Sequence, residues 1–137
     1  MKLNRWIVIP AITATLLTSL GVAKGNAQVV LQPNFQPQTL SSGVSGGSGG
    51  MECGNLPAAP NVVVEVSADI TSMRFIVQSE GQPTLFIQGP QGKSCILSDK
   101  LSGGIIEIPG YWEKGNYALF VGDRSGGNHN YTLSVAR

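Results

Sequence analysis

The chain has 137 residues, which is enough for one domain, and only 12% of them are charged. Its formal net charge of +1 lacks the basic excess with which proteins grip nucleic acid through phosphates. One histidine and two cysteines, with no CxxC pair, supply too few ligands for a structural zinc site.

Residues 1–27 read as a secretory signal peptide. Lys2 and Arg5 form a short basic region, and Ile7 to Leu20 is an apolar stretch. Gly25-Asn26-Ala27 then puts small residues at the −3 and −1 positions, so cleavage is expected before Gln28. An uncleaved membrane anchor is the alternative, but the apolar stretch falls short of the roughly 20 residues that a span requires. The expected location is therefore the periplasm or the outside of the cell. Loss of Lys2, Arg5 and Lys24 would leave six basic side chains against eight acids, a formal charge of −2. No basic amphipathic helix points to a membrane-surface role, and no span is expected after cleavage.

Residues 28–50 are expected to form a flexible tether. Gln28 to Leu40 is polar with isolated apolar residues and two prolines, and Ser41 to Gly50 is almost purely serine and glycine. The alternative is that Val29 to Leu31 adds a strand to the domain edge.

From Met51 to the end the pattern is that of a small β domain. Short apolar runs are predicted as strands over 61–66, 73–79, 84–88, 94–97, 104–108, 117–121 and 130–135. Several alternate with period two: Met73, Phe75 and Val77 share one face, Tyr117, Leu119 and Val121 another, and Tyr131, Leu133 and Val135 a third. Gly81-Gln82-Pro83, Gly89-Pro90-Gln91-Gly92, Ser102-Gly103-Gly104, Pro109-Gly110 and Ser125-Gly126-Gly127-Asn128 punctuate the runs as turns. No segment after the leader carries a 3.6-residue period, so the expected fold class is all-β, an antiparallel sandwich or barrel. Cys53 and Cys95 are an even pair in a chain expected to enter an oxidising compartment, and they are expected to form a disulfide.

Three segments carry a resemblance. They are Pro83-Thr84-Leu85-Phe86-Ile87-Gln88-Gly89-Pro90-Gln91-Gly92, Gly115-Asn116-Tyr117-Ala118-Leu119-Phe120-Val121-Gly122, and Tyr131-Thr132-Leu133-Ser134-Val135. In order and spacing the region from Asn61 to Val135 resembles the bacterial pre-peptidase C-terminal domain family. The resemblance implies a jelly-roll-like β-sandwich without catalytic activity, of a kind usually appended to exported enzymes. It also implies binding to matrix polymers, sometimes with calcium. Cys53-Gly54-Asn55 at the front and Gly122-Asp123-Arg124-Ser125-Gly126-Gly127 near the end are similar to small secreted proteins of cyanobacteria, for which the resemblance implies no activity.

Four constellations bear on chemistry. Gly122 to Gly127 is similar to the GDSGG run around a trypsin-type nucleophile, but Arg124 interrupts it and the only histidine, His129, follows the serine instead of preceding it. Gly43-Val44-Ser45-Gly46-Gly47 matches GxSxG formally, yet a nucleophile elbow requires a strand before it and a helix after it. Asp69, Asp99 and Asp123 fall in predicted loops. They are weak calcium candidates, and turn-forming aspartate is the plainer reading. Tyr111 and Trp112 are adjacent in a β context, so they point to opposite faces. One could be exposed to stack on a sugar or anchor a partner, or Trp112 could cap the core at the turn. With no acid–base pair in evidence, no cofactor and no catalytic residue are expected. The expected function is an exported binding or interaction module for an envelope or extracellular polymer, with Tyr111, Trp112, Asp123, Arg124 and His129 as candidate contact residues. The alternatives are a structural envelope component packing on a partner protein, or a secreted inhibitor presenting the Gly122–Asn130 loop.

Overall fold

The computed structural model describes residues 27–49, 53–99, 103–126 and 128–137. The leader expected over 1–27 lies, except for Ala27, outside the described residues. The strands in chain order are β1 (Ala27–Leu31), β2 (Gln38–Val44), β3 (Val62–Val66), β4 (Ile70–Ser79), β5 (Pro83–Gly89), β6 (Gly92–Leu97), β7 (Ile105–Trp112), β8 (Gly115–Asp123) and β9 (Asn130–Ala136). They form two sheets, ordered β1-β3-β8-β5-β6 and β2-β9-β4-β7. β1 runs parallel to β3, and the other pairings are antiparallel.

The two sheets face each other because each strand contributes one apolar face. Val62, Val64 and Val66 from β3 and Leu119 and Val121 from β8 meet Phe75 and Val77 from β4 and Leu133 from β9, all essentially without solvent contact. Each fully buried side chain of this size contributes about 1.5–3 kcal/mol, and the alternation fixes the register, since a one-residue slip would turn every one of them to water. The seven runs predicted from Asn61 onward correspond to β3 to β9, and the fold is the expected all-β sandwich.

Residues 28–44 depart from expectation. The tether is replaced by β1 on the edge of one sheet and β2 on the edge of the other. Leu31, Phe35 and Leu40 of this segment are all buried in the main core. The serines and glycines that follow are also held: the amides of Ser45, Gly46 and Gly49 donate to the carbonyls of His129, Val121 and Leu56. Gly47 and Gly49 serve close approach, because a Cβ on either would come within 2.8 Å of Pro57 main-chain atoms.

Pro109-Gly110, read as a turn, lies inside β7 instead. Ser79 N–H donates to Gly104 O, so by antiparallel alternation Ile106, Ile108 and Gly110 turn their main-chain groups towards β4. Pro109 therefore faces away from β4, where its missing N–H breaks no ladder bond, and the edge strand runs through it.

Cys53 and Cys95 form a disulfide with a Cα–Cα separation of 5.7 Å. Cys53 is buried with Leu56 and Phe86, and Phe120 packs against them, in a second apolar cluster. This cluster sits on the outer face of the five-stranded sheet. The bond pins the segment after Cys53 across that face, and Cys95, on edge strand β6, remains exposed.

Candidate functional site

Two polar constellations emerge from the fold. The first is built on Asp123, the last residue of β8. Its side chain is fully buried, and hydrogen-bond donors surround it. Oδ2 accepts from Ser45 Oγ at 3.2 Å and lies 2.8 Å from His129 Nδ1. Oδ1 accepts from the Ser125 amide at 2.7 Å, from the Ser125 hydroxyl, and from the Gln82 amide at 3.4 Å. Burial pushes the carboxyl pKa up, but the bonds from Ser125, His129 and Gln82 outweigh it and hold Asp123 below the usual carboxylate range.

These partners define what Asp123 does. It accepts from the amide two residues on, the arrangement of an Asx-turn, and so organises the loop that ends β8. It also ties that loop to Ser45 after β2 and to Gln82 before β5. Ser45 falls in the segment whose composition predicts a tether. It is fully buried against Asp123, which no local sequence signal could show. The Ser125 hydroxyl donates its hydrogen bond to the carboxylate and meets the histidine at 3.5 Å through the same nitrogen that Asp123 uses. Arg124 is exposed, and its guanidinium donates to Ser98 O at 2.9 Å.

The second constellation lies at the opposite end of β8. Tyr111 is 59% exposed, yet its hydroxyl is anchored by donating to Asp69 Oδ2 at 2.8 Å. Asp69 Oδ1 accepts from the Lys114 amide at 2.8 Å. These two bonds, the Lys114 amide first, hold the Asp69 carboxyl below its ordinary value, and the carboxylate in turn pushes the Tyr111 phenol up. Trp112 takes the other face. It is half-buried, donates Nε1–H to Met73 O at 2.8 Å, and stacks edge-to-face on Phe75 (4.8 Å between centroids) and on Tyr117 (5.6 Å). Tyr117 donates to Glu113 O at 2.7 Å, and burial, followed by the Glu113 charge, raises its pKa. Gln91 Nε2 donates to Glu113 Oε2.

These side chains border a cleft of about 340 Å³. Its walls come from the facing edges of the two sheets, with Ile87 of β5 and Ile96 of β6 on one side and Ile108 and Trp112 of β7 on the other. Tyr111, Gln91, Ser94 and Glu113 add polar groups at its border. Sequence reasoning singled out the aromatic pair. It missed Glu113, Gln91 and the β6 wall, which only the pairing of distant strands brings there.

Of the three calcium candidates, Asp99 borders a surface with Gln82 and Arg124, towards the Asp123 end, and Asp69 stands apart from both. Asp69 and Asp123 lie near opposite ends of the nine-residue β8, on the order of 25 Å apart at about 3.3 Å per residue. Both carboxylates are engaged by hydrogen-bond donors. Among the described residues, no group of three or more His, Cys, Asp or Glu side chains is placed to hold a metal ion. Likewise among these residues, no helix is long and apolar enough to cross a membrane.

No protein-family model matches the chain. An uncharacterized protein of Synechococcus elongatus is 34% identical over 140 residues, covering 99% of this chain and 98% of that protein. Among solved structures, the pre-peptidase C-terminal domain of a collagenase from Bacillus anthracis is similar, with a TM-score of 0.48 and 16% identity over 83% of this chain and 99% of that one.

Proposed function

The chain belongs to one family with the Synechococcus elongatus protein, and we propose that its sandwich is an exported, non-catalytic binding module that holds an envelope or extracellular polymer in the cleft beside Tyr111 and Trp112. The observation that carries this reading is the state of Tyr111. A large aromatic ring left in water is ordinarily mobile, but this one is fixed through its hydroxyl to Asp69 at the mouth of an apolar cleft. A ring immobilised before the partner arrives loses little entropy on contact, which is how an aromatic anchor gains affinity.

The other constellation supports the non-catalytic part. Among the described residues, Asp123, Ser125 and His129 are the grouping that resembles an acyl-transfer site, and their bonds are spent on the loop. Export is supported by the leader pattern and by the disulfide, which persists in oxidising compartments.

The test is retention by a washed cell-envelope fraction. The purified chain is expected to be retained, and Tyr111→Ala to be released while its unfolding midpoint stays close to the parent's, because the side chain is exposed. Equal retention of both proteins would remove the cleft from the reading.

A further inference from the structure

The two sheets are unequal, and the inequality falls at the cleft. One has five strands and the other four, and β5 packs against both β4 and β7. Edge strand β6 therefore extends past β7, and among the described residues no further strand beyond β7 covers its inner face. Its inward residues show the consequence: Ser94 is exposed and Ile96 only half-buried, although the equivalent positions of β5 are closed to solvent.

The two edges that border the cleft differ in chemistry. Ser98 N–H donates to Pro83 O, so by alternation Ile96 and Ser94 turn their main-chain groups towards β5. Those of Lys93, Cys95 and Leu97 face outward, giving a run of donors and acceptors with no proline in it. The β7 edge is guarded: Pro109 removes one outward donor and Glu107 adds a charge beside it. β6 has no proline, its one charged side chain, Lys93, stands next to the Gly92 hairpin end and away from Leu97, and the disulfide at Cys95 holds the strand in place. Leu97 adds an apolar side chain that is 49% exposed.

The side chains bordering the cleft include one ionisable carboxylate, Glu113, set beside the aromatic rings of Trp112 and Tyr117, which meet each other edge-to-face. Lys93, the nearest cation along β6, turns to the opposite face of the sheet, where it lines a separate surface with Phe86 and Phe120. The cleft is thus apolar in its walls and negative at its border, and its volume of about 340 Å³ leaves room for a long side chain.

On the reading that this cleft is the binding site, we propose that its partner is a polypeptide, an extended segment of which adds as a strand to the free edge of β6 and sends one lysine or arginine side chain into the cleft against Glu113. The main-chain row of β6 selects a polypeptide, because only an extended peptide repeats donors and acceptors at matching spacing. The apolar walls take the methylene stem, the carboxylate takes the charge, and the Trp112 face adds a cation–π contact.

The experiment uses the exported chain and four probes: a nine-residue peptide alternating threonine and valine with a central lysine, the same peptide with glutamate at the centre, the lysine peptide N-methylated on alternate amides, and an oligomer of N-acetylglucosamine. Binding is followed by Trp fluorescence and by amide hydrogen exchange at Cys95 and Leu97. The lysine peptide is expected to bind and to slow exchange at both amides, and the glutamate and N-methylated peptides to fail. Glu113→Gln is expected to weaken the lysine peptide at least about threefold, the effect of a partly exposed ion pair. If the lysine and glutamate peptides bind alike, or the lysine peptide binds without protecting Cys95 and Leu97, the proposal is wrong. Binding of the sugar oligomer alone overturns the peptide partner and leaves the binding-module reading standing. If no probe binds and the envelope fraction also fails to retain the chain, the reading itself falls.

Discussion

His129 Nδ1 lies 2.8 Å from Asp123 Oδ2, and Ser125 Oγ meets that same nitrogen at 3.5 Å. A proton relay needs the aspartate and the serine on opposite nitrogens of the ring, so that one holds the imidazole while the other gives up its proton. Here the serine hydroxyl instead donates to the aspartate. A serine-directed fluorophosphonate is therefore expected to leave the folded chain unlabelled, as judged by intact mass. Labelling that disappears in Ser125→Ala would contradict this arrangement.

The same carboxylate makes stability depend on acid. The folded pKa of Asp123 is depressed, so its contribution is present above the unfolded carboxylate value of about 3.9 and is lost as pH falls through the folded one. The thermal midpoint is expected to be lower below about pH 4 than at pH 6. Asp123→Asn keeps the shape but loses the charge, and it is expected to lower the midpoint at pH 6 and to flatten the acid decline. An unchanged acid slope in the variant would assign that decline to other groups.

Cys53 and Cys95 are 42 residues apart in sequence. Closing a loop of that length stabilises by roughly 4 kcal/mol in the chain-entropy model, before any native strain is subtracted. Alkylation of unreduced exported protein is expected to leave both cysteines unmodified. Cys53→Ser is expected to lower the unfolding midpoint clearly, since it also disturbs the cluster with Leu56 and Phe86.

The strands from β3 onward were legible as short apolar runs between turn residues, several of them alternating strictly, as in Tyr117, Leu119 and Val121. The amino-terminal strands were not. Leu31, Phe35 and Leu40 follow no period, and a run of serine and glycine has the composition of a flexible linker whether or not it is packed. Gly47 and Gly49 read as freedom but allow main chain to lie against Pro57. The cleft was half legible: Tyr111 and Trp112 stand out, whereas Ile96 and Glu113 join them only through the pairing of β6 with β5 and of β7 with β4. Leu31→Ala separates the two views of the amino-terminal region. Leu31 is 1% exposed, and truncating such a side chain costs about 2–5 kcal/mol, whereas in a loose tether it would cost nothing measurable.

Chemical-shift mapping of the isotope-labelled chain, titrated with the material eluted from an envelope fraction that retains it, tests the binding site most directly. The amides of Ile96, Ile108 and Glu113 and the Trp112 indole N–H are expected to shift together and saturably, with β1, β2 and the Gly122–Asn130 loop unmoved. Shifts concentrated in that loop or along β1 and β2, with the Trp112 indole unchanged, would contradict binding in the β6–β7 cleft.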